Sequence, residues 1–156
     1  MILERKTIGG FNIIGLSIRT DNAEGKAADH INALWQMFYE EDALSKITSR
    51  TDDTIYAVYS DYEGDHTKPY RFTIGCRVDD DSVIPDNMDL RHIPKAQYAC
   101  AKARGEQPRA LIEKWQEIWG SDLKRSYEVD FEIYGPDFFD PEKREVPIYL
   151  SLEAGA

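Results

Sequence analysis

The chain has 156 residues, of which 42% are hydrophobic and 31% are charged, and this composition predicts one globular domain over residues 1–156. It excludes a disordered chain and a collagen-like repeat, both of which need a more biased composition. Nineteen basic and 29 acidic side chains give a net charge of −10. Because an acidic surface repels polyphosphates, we expect no direct binding of nucleic acid.

The N-terminal segment reaches polar side chains before any long apolar run, which argues against a secretory signal. The longest apolar-rich stretch, residues 11–16, is too short to cross a bilayer. We therefore expect a cytoplasmic protein without membrane association, in which Cys76 and Cys100 are free thiols. The three histidines lack the close spacing of metal ligands, so we expect neither a metal site nor a cofactor.

The first half of the chain predicts a strand, a helix and two more strands. Residues 11–19 are rich in β-branched side chains and indicate a mostly buried strand. Apolar residues then recur at three- and four-residue spacing over residues 24–41, which is typical of an amphipathic helix. Residues 55–62 and 70–78 have the β-rich or alternating patterns of two strands, with a polar turn between them.

The second half repeats this order after a polar connection. That connection contains Asp79-Asp80-Asp81, but the spacing of an EF-hand is missing, so we interpret it as a solvated loop rather than a calcium site. Residues 93–104 predict a strand, and a helix follows over residues 108–120. Residues 126–134 and 146–152 predict the last two strands.

A short sequence echo accompanies the repeated order of elements. Trp35-Gln36 in the first predicted helix matches Trp115-Gln116 in the second. We interpret the pattern as an internal duplication, with repeat 1 at about residues 10–78 and repeat 2 at about residues 93–152. Such a chain predicts an α+β domain with two long helices on one side of a curved, mainly antiparallel sheet.

Glu132 lies in a predicted strand with strict alternation. The alternation over residues 127–134 places the apolar side chains, Val129 and Phe131 among them, on one face and Glu132 with Tyr134 on the other. If the apolar face packs on the helices, Glu132 points away from them. Spacing alone therefore favours an ordinary solvated carboxylate.

Four segments of the chain resemble a known family. They are residues 15–20, 55–65, 93–99 and 130–134, and together they extend over nearly the whole chain. Their order and spacing are similar to those of the effector-binding domain of AraC-type and MerR-type multidrug regulators and of the gyrase-inhibitory-protein-like small-molecule-binding proteins. The chain resembles in particular the stand-alone members, which include a protein encoded on a mobile integron cassette.

This resemblance implies two strand-helix-strand-strand units and a ligand groove on the side of the sheet opposite the helices. In the family, cationic amphipathic small molecules bind there against aromatic side chains and a buried acidic residue, whose position Glu132 takes here. The regulators carry a helix-turn-helix region before this domain, whereas ten residues precede the first predicted strand of this chain. We therefore expect a sensor or sequestering protein without its own DNA-binding region, which would need a DNA-binding protein partner in trans to affect transcription.

Aromatic side chains are the other expected contacts of a bound cation, since Trp and Tyr rings attract organic cations. Tyr62 and Tyr134 occupy equivalent places in the two repeats and are the preferred wall residues, and Trp119 could reach the rim. The candidate ligand-binding residues are Glu132, Tyr134, Tyr62, Trp119, Tyr59, Tyr56 and Tyr98. Trp35 and Trp115 occupy the centres of helical apolar stripes, so we interpret both as core residues.

Two other functions stay open from the sequence. Some stand-alone relatives are hydrolases, and an enzyme of that type would use Glu132 to activate water. Alternatively, the acidic surface could inhibit a protein partner or make the chain a regulatory subunit. Turnover that depends on Glu132 would identify the enzyme, and a pull-down from cell extract with and without ligand would identify the partner.

Overall fold

The structure is a computed structural model that describes residues 3–79 and 83–155. As the sequence predicts, it is an α+β domain, and it is built on one eight-stranded antiparallel sheet. Asp80 and Asp81, part of the expected solvated loop, lie outside the described residues. The strands are β1 (Glu4–Ile8), β2 (Phe11–Thr20), β3 (Ile55–Ser60), β4 (Tyr70–Val78), β5 (Asp89–Ile93), β6 (Ala96–Arg104), β7 (Val129–Tyr134) and β8 (Glu145–Ser151). The α-helices are α1 (Lys26–Glu40), α2 (Ala43–Lys46), α3 (Arg109–Trp119) and α4 (Pro136–Phe139), with a 3-10 turn at Ala23–Gly25 before α1.

The strand order across the sheet is β1-β6-β8-β7-β3-β4-β2-β5. The order strand-helix-strand-strand occurs once as β2-α1-β3-β4 and again as β6-α3-β7-β8. Each set of three strands forms one half of the sheet, and the halves meet at the antiparallel pair β7–β3. The outermost strands are exchanged, because β1 pairs with β6 of the second half and β5 pairs with β2 of the first.

Two strands of the structure, β1 and β5, are not predicted from the sequence pattern. β1 is an edge strand of mostly exposed side chains, so it shows no hydrophobic alternation. β5 lies almost entirely in the stretch expected as a polar connection, and the strand expected over residues 93–104 is β6, which begins at Ala96 because Pro94 has no N–H to donate to a ladder. β7 begins at Val129 rather than at residue 126, after Tyr127 with its positive φ of 53°.

The sheet is strongly curled, as one ring contact shows. Phe11 on β2 and Phe131 on β7 lie three strand positions apart, which is about 14 Å in a flat sheet. Their ring centroids are nevertheless only 5.6 Å apart. The face that carries them is therefore concave, and it buries a hydrophobic cluster that includes Ile13, Val58 and Tyr98.

A pair of facing glycines lies in the register of β2 and β4. Gly15 pairs with Gly75, and a Cβ placed on Gly75 would lie 2.0 Å from the carbonyl oxygen of Ile14. A Cβ on Gly15 would lie equally close, at 2.0 Å, to the carbonyl oxygen of Ile74. The two backbones can approach this closely only because neither residue has a side chain.

Both long helices pack on the opposite, convex face of the sheet. α1 contacts β2 and β4, whereas α3 contacts β6. Leu34 and Phe38 of α1 and Trp115 and Ile118 of α3 belong to one hydrophobic cluster with this sheet face. The helices thus cover the two flanks of the sheet, and the central pair β7–β3 lies between them.

Candidate functional site

A cavity of about 630 Å³ opens between the two long helices and the central strands. Its wall is largely aromatic and includes Tyr59, Tyr62, Tyr134, Trp35, Trp115 and Trp119. The volume is in the range of roughly 300–1,000 Å³ that drug-sized ligands occupy. The cavity lies on the helix side of the sheet, which corrects the expectation of a groove on the opposite side. That opposite side is the concave face, which the cluster around Phe131 fills.

Glu132 forms the floor of this cavity, on the central strand β7. It is 1% exposed, and its carboxylate accepts three hydrogen bonds. Tyr59 Oη and Trp115 Nε1 donate to Oε2 at 2.9 and 2.6 Å, and Tyr134 Oη donates to Oε1 at 2.8 Å. Among the described residues, no basic side chain forms a salt bridge with this carboxylate. All three of its donors are neutral groups.

The electrostatic state of Glu132 follows from this environment. Burial removes water from the charged form and raises the pKa of the Glu132 carboxyl above its ordinary value. The hydrogen bonds from Tyr134, Trp115 and Tyr59 partly oppose that rise, because they stabilise the ionised form. The result is a carboxyl group whose negative charge is hydrogen-bonded but is not neutralised by a protein cation.

A second acidic residue on β7, Asp130, differs from Glu132 in having a basic partner. Asp130 is fully buried, and its Oδ2 lies 2.6 Å from Nη2 of Arg125 in a buried ion pair. Tyr62 Oη donates to the same oxygen at 2.7 Å, and the main-chain N–H of Ser151 donates to Oδ1 at 2.9 Å. The charge of Asp130 is thus balanced within the protein, whereas that of Glu132 is not.

The structure brings most of the predicted site residues together. Tyr134, Tyr62, Tyr59 and Trp119 line the cavity around Glu132. Trp119 is 38% exposed at the end of α3, which agrees with the expected position at the rim. Both repeats therefore contribute aromatic side chains to the wall of the cavity.

Tyr56 and Tyr98 do not line the cavity, which corrects their inclusion among the candidates. Both side chains lie on the concave face, where Tyr98 packs against Phe131 with ring centroids 5.4 Å apart and Tyr56 packs against Phe11 at 5.6 Å. The reason is the alternation of β-strands: Tyr56 is three residues from Tyr59 and so faces the other side of the sheet.

Two tryptophans predicted as core residues belong to the core and also line the cavity: Trp115 is part of the hydrophobic cluster between helices and sheet, and Trp35 packs against that cluster. Trp35 on α1 and Trp115 on α3 both line the cavity, and Trp115 donates to Glu132. The two faces of β7 are the reverse of those expected from its alternation. Val129 and Phe131 pack on the concave face, whereas Glu132 and Tyr134 face the helices. An apolar stripe on a helix does not distinguish a packed core from an aromatic cavity wall.

The described residues were also searched for a metal site, for reactive cysteines and for membrane-spanning helices. Within residues 3–79 and 83–155, no group of three or more His, Cys, Asp or Glu side chains could hold a metal ion. Cys76 and Cys100 are free and buried, as predicted, and burial raises the pKa of the Cys76 thiol to about 12. No helix in the described ranges has both the length and the apolar character needed to cross a membrane.

Comparison with known proteins identifies the family. The family of integron-associated effector binding proteins, Cass2, matches residues 6–152. The chain belongs to this family. The protein YobU of Bacillus subtilis (strain 168), named as a candidate transcriptional regulator, is 31% identical over 144 residues, which cover 89% of this chain and 90% of YobU.

Solved structures share the fold of this effector-binding protein. The Vibrio cholerae integron cassette protein is 27% identical with a TM-score of 0.73, and the match covers 97% of this chain and 95% of that one. SAV2435, solved with bound tetraphenylphosphonium, has a TM-score of 0.81 at 19% identity, over 99% of this chain and 95% of that one. Family and fold together make this member of the Cass2 family a small-molecule-binding module.

Proposed function

We propose that this effector-binding protein takes up cationic amphipathic small molecules in its aromatic cavity, with Glu132 as their counter-charge. The observation that carries the proposal is the state of Glu132, which is 1% exposed and, among residues 3–79 and 83–155, is hydrogen-bonded only by neutral donors. Burial makes the charged form of the carboxyl unfavourable, and a ligand cation beside it restores the lost stabilisation. The tetraphenylphosphonium bound to SAV2435 supports the same class of ligand.

The aromatic wall suits such a cation as well. The hydroxyl groups of Tyr59 and Tyr134 each donate a hydrogen bond to Glu132, while their rings line the cavity. Each of these side chains can therefore contact the carboxylate and the ligand at the same time. Trp115 combines the same two contacts. Each ring face adds roughly 0.5–2 kcal/mol of attraction to an organic cation. Tyr62 and Trp119 complete the proposed set of contact residues.

The same geometry does not favour a hydrolase. A general base receives a proton from water on a free lone pair, and three of the roughly four acceptor positions of the Glu132 carboxylate are already occupied. Both oxygens of Glu132 already accept hydrogen bonds, and Oε2 accepts two. We therefore infer that Glu132 attracts charge rather than activates water. The proposed output is sequestration or sensing in the cytoplasm, with any effect on transcription passing through a DNA-binding partner.

A pair of isosteric ions tests the proposal. Tetraphenylphosphonium and tetraphenylborate have nearly the same shape and hydrophobic surface but opposite charge. We expect the phosphonium to bind at least about a hundredfold more tightly, because Glu132 attracts one ion and repels the other. Quenching of the cavity tryptophans and isothermal titration measure both affinities. Equal affinities, or a preference for the borate, would refute a role for Glu132 as counter-charge.

A further inference from the structure

Unpartnered nitrogen atoms are concentrated among the cavity residues. Across residues 3–79 and 83–155, five buried side-chain polar atoms lack a hydrogen-bond partner, and three of these belong to Arg125 and His66. The three atoms are Nε and Nη1 of Arg125 and Nδ1 of His66, and both residues line the cavity. Since buried polar groups in folded proteins are nearly always hydrogen-bonded, this concentration indicates a missing partner, which must be an acceptor for Arg125 and is an acceptor for His66 in the tautomer with its proton on Nδ1.

Arg125 is held in a defined position by its other contacts. Its Nη2 lies 2.6 Å from Asp130 Oδ2, and its guanidinium carbon lies 4.3 Å from the ring centroid of Tyr127. These contacts use one nitrogen and one face of the planar group and leave Nε and Nη1 without an acceptor. Because a guanidinium stays protonated in proteins, both atoms can only donate.

His66 is connected to Arg125 through the two tryptophans of α3. Its ring stacks on Trp119 with centroids 5.8 Å apart and an interplanar angle of 9°. Trp119 packs against Trp115 at 6.2 Å, and the guanidinium of Arg125 lies 5.8 Å from the Trp115 ring. The side chain of Asn22 donates to the main-chain oxygen of His66 at 2.8 Å and fixes this segment. A continuous chain of ring contacts thus joins the two residues that hold unpartnered nitrogens.

We propose that the ligand of this protein carries an oxygen acceptor, a carbonyl or a carboxylate, that binds Arg125 and His66. This inference rests on the proposed function and adds a second point of recognition to it: the cation lies against Glu132, and the acceptor lies at the Arg125 end. Asp130 already balances the charge of Arg125, so a neutral carbonyl can bind there without leaving a charge unbalanced, whereas a carboxylate would add a second negative charge beside Asp130. A purely hydrophobic cation would use only part of this site.

Three phosphonium probes with the same permanent charge test the inference. They are (4-ethylphenyl)-, (4-acetylphenyl)- and (4-carboxyphenyl)triphenylphosphonium, each used together with its meta isomer to vary the reach of the substituent. We expect an acetyl or carboxyl probe to bind at least about tenfold more tightly than its ethyl counterpart, because a site with unpaired donors discriminates strongly in favour of an acceptor. A preference for acetyl identifies a carbonyl ligand, and a preference for carboxyl identifies a zwitterion.

Two variants locate the effect. Arg125→Lys keeps a cation beside Asp130 but removes Nε and Nη1, and His66→Phe keeps a ring on Trp119 but removes Nδ1. We expect each variant to bring the affinities of the acceptor and ethyl probes closer together. Arg109→Lys is the matched control, since Arg109 has a side chain 70% exposed and does not line the cavity. If Arg125→Lys fails to fold, the His66→Phe ratio decides the test.

The outcomes separate this inference from the proposed function. Equal binding of the ethyl, acetyl and carboxyl probes would overturn the acceptor site and leave the counter-charge role of Glu132 intact. An acceptor preference that neither variant changes would also overturn it. If none of the phosphonium probes binds, the proposed function fails, and the inference that depends on it fails too. A preference that is lost in both variants and kept in Arg109→Lys supports it.

Discussion

Glu132→Gln is the single substitution that tests the site most directly. The amide oxygen can accept from Trp115 and Tyr59 while the amide nitrogen donates to Tyr134, so the variant removes the charge with little change in shape. At a separation of about 4 Å and an effective dielectric constant of about 20, the attraction between Glu132 and a ligand cation is about 4 kcal/mol. Lost hydration of both ions offsets part of this. We expect a net loss of roughly 1.4–2.8 kcal/mol, or about ten- to a hundredfold in Kd.

The pH dependence of binding supplies a second signature of the same substitution. Burial raises the pKa of Glu132 in the free protein, and a bound permanent cation lowers it by favouring the ionised form. In the window between these two pKa values the protein releases a proton when it binds. Affinity therefore falls as the pH falls below the pKa of the free protein. The Gln variant has no such proton and should lose most of this dependence.

Isothermal titration with tetraphenylphosphonium measures both effects. Titrations over about pH 5–8, in two buffers of different ionisation enthalpy, count the released protons directly. Glu128→Gln is the matched control, because it removes the same net charge from an exposed position next to the same strand. Circular dichroism confirms that each variant is folded. Unchanged affinity in a folded Glu132→Gln protein would place the binding site elsewhere and refute this account of the cavity.

Three further predictions concern stability. Asp130→Asn leaves the buried guanidinium of Arg125 without its counter-ion and should cost about 3–5 kcal/mol of unfolding free energy in urea titration; a loss of less than about 1 kcal/mol would contradict the ion pair. Gly75→Ala forces a Cβ to within 2.0 Å of the Ile14 carbonyl oxygen and should destabilise the fold by more than about 2 kcal/mol in the same assay, unlike a substitution in an ordinary strand position. Glu132→Gln should raise the stability of the free protein at pH 7. Because the pKa of Glu132 is raised in the folded state, the unsubstituted protein loses stability as the pH rises through that pKa, and the Gln variant does not. Thermal unfolding at several pH values should show this difference shrinking as pH falls toward the ordinary carboxyl value of about 4.3, and a difference that grows instead would reverse the sign of the argument.

The helices and central strands could be predicted from periodicity, because each has one consistently buried face. The stripe on α1 that includes Leu34 and Phe38 is a true core stripe, and it identified the helix correctly. Trp35 and Trp115 share the spacing of those residues and pack with the same cluster, but they also line a cavity. Periodicity indicates which side of a helix faces away from water, and both a packed core and an aromatic cavity wall lie on that side.

The orientation of β7 could not be predicted from its alternation. Alternation correctly placed Glu132 and Tyr134 on one face and Phe131 on the other, but it could not say which face meets the helices. In most half-buried sheets the apolar face is the packed one. Here both faces are buried, because the curl of the sheet closes the concave side around Phe131. The family resemblance, rather than the pattern, led to the buried state of Glu132.

Arg125 left no signal in the sequence. It lies outside the regular strands, in a single bridge with Leu152, and its role depends on the side chain of Asp130 five residues away. A lone basic residue in a polar segment is usually solvated, so only the three-dimensional arrangement shows that this one is buried.

The exchanged edge strands link the fate of the two halves of the molecule. β1, which comes before the first half in the chain, completes the edge of the second, and β5 completes the edge of the first. β1 directly precedes β2 in the chain and β5 directly precedes β6, so unfolding of either half also removes the strand that completes the other half. We therefore expect the chain to unfold globally rather than one half at a time. A ligand seated at the β7–β3 junction would then slow hydrogen exchange even at Lys6 and Arg91, on the remote margins of the sheet. Binding at one small site would in this way lower hydrogen-exchange rates across the whole backbone.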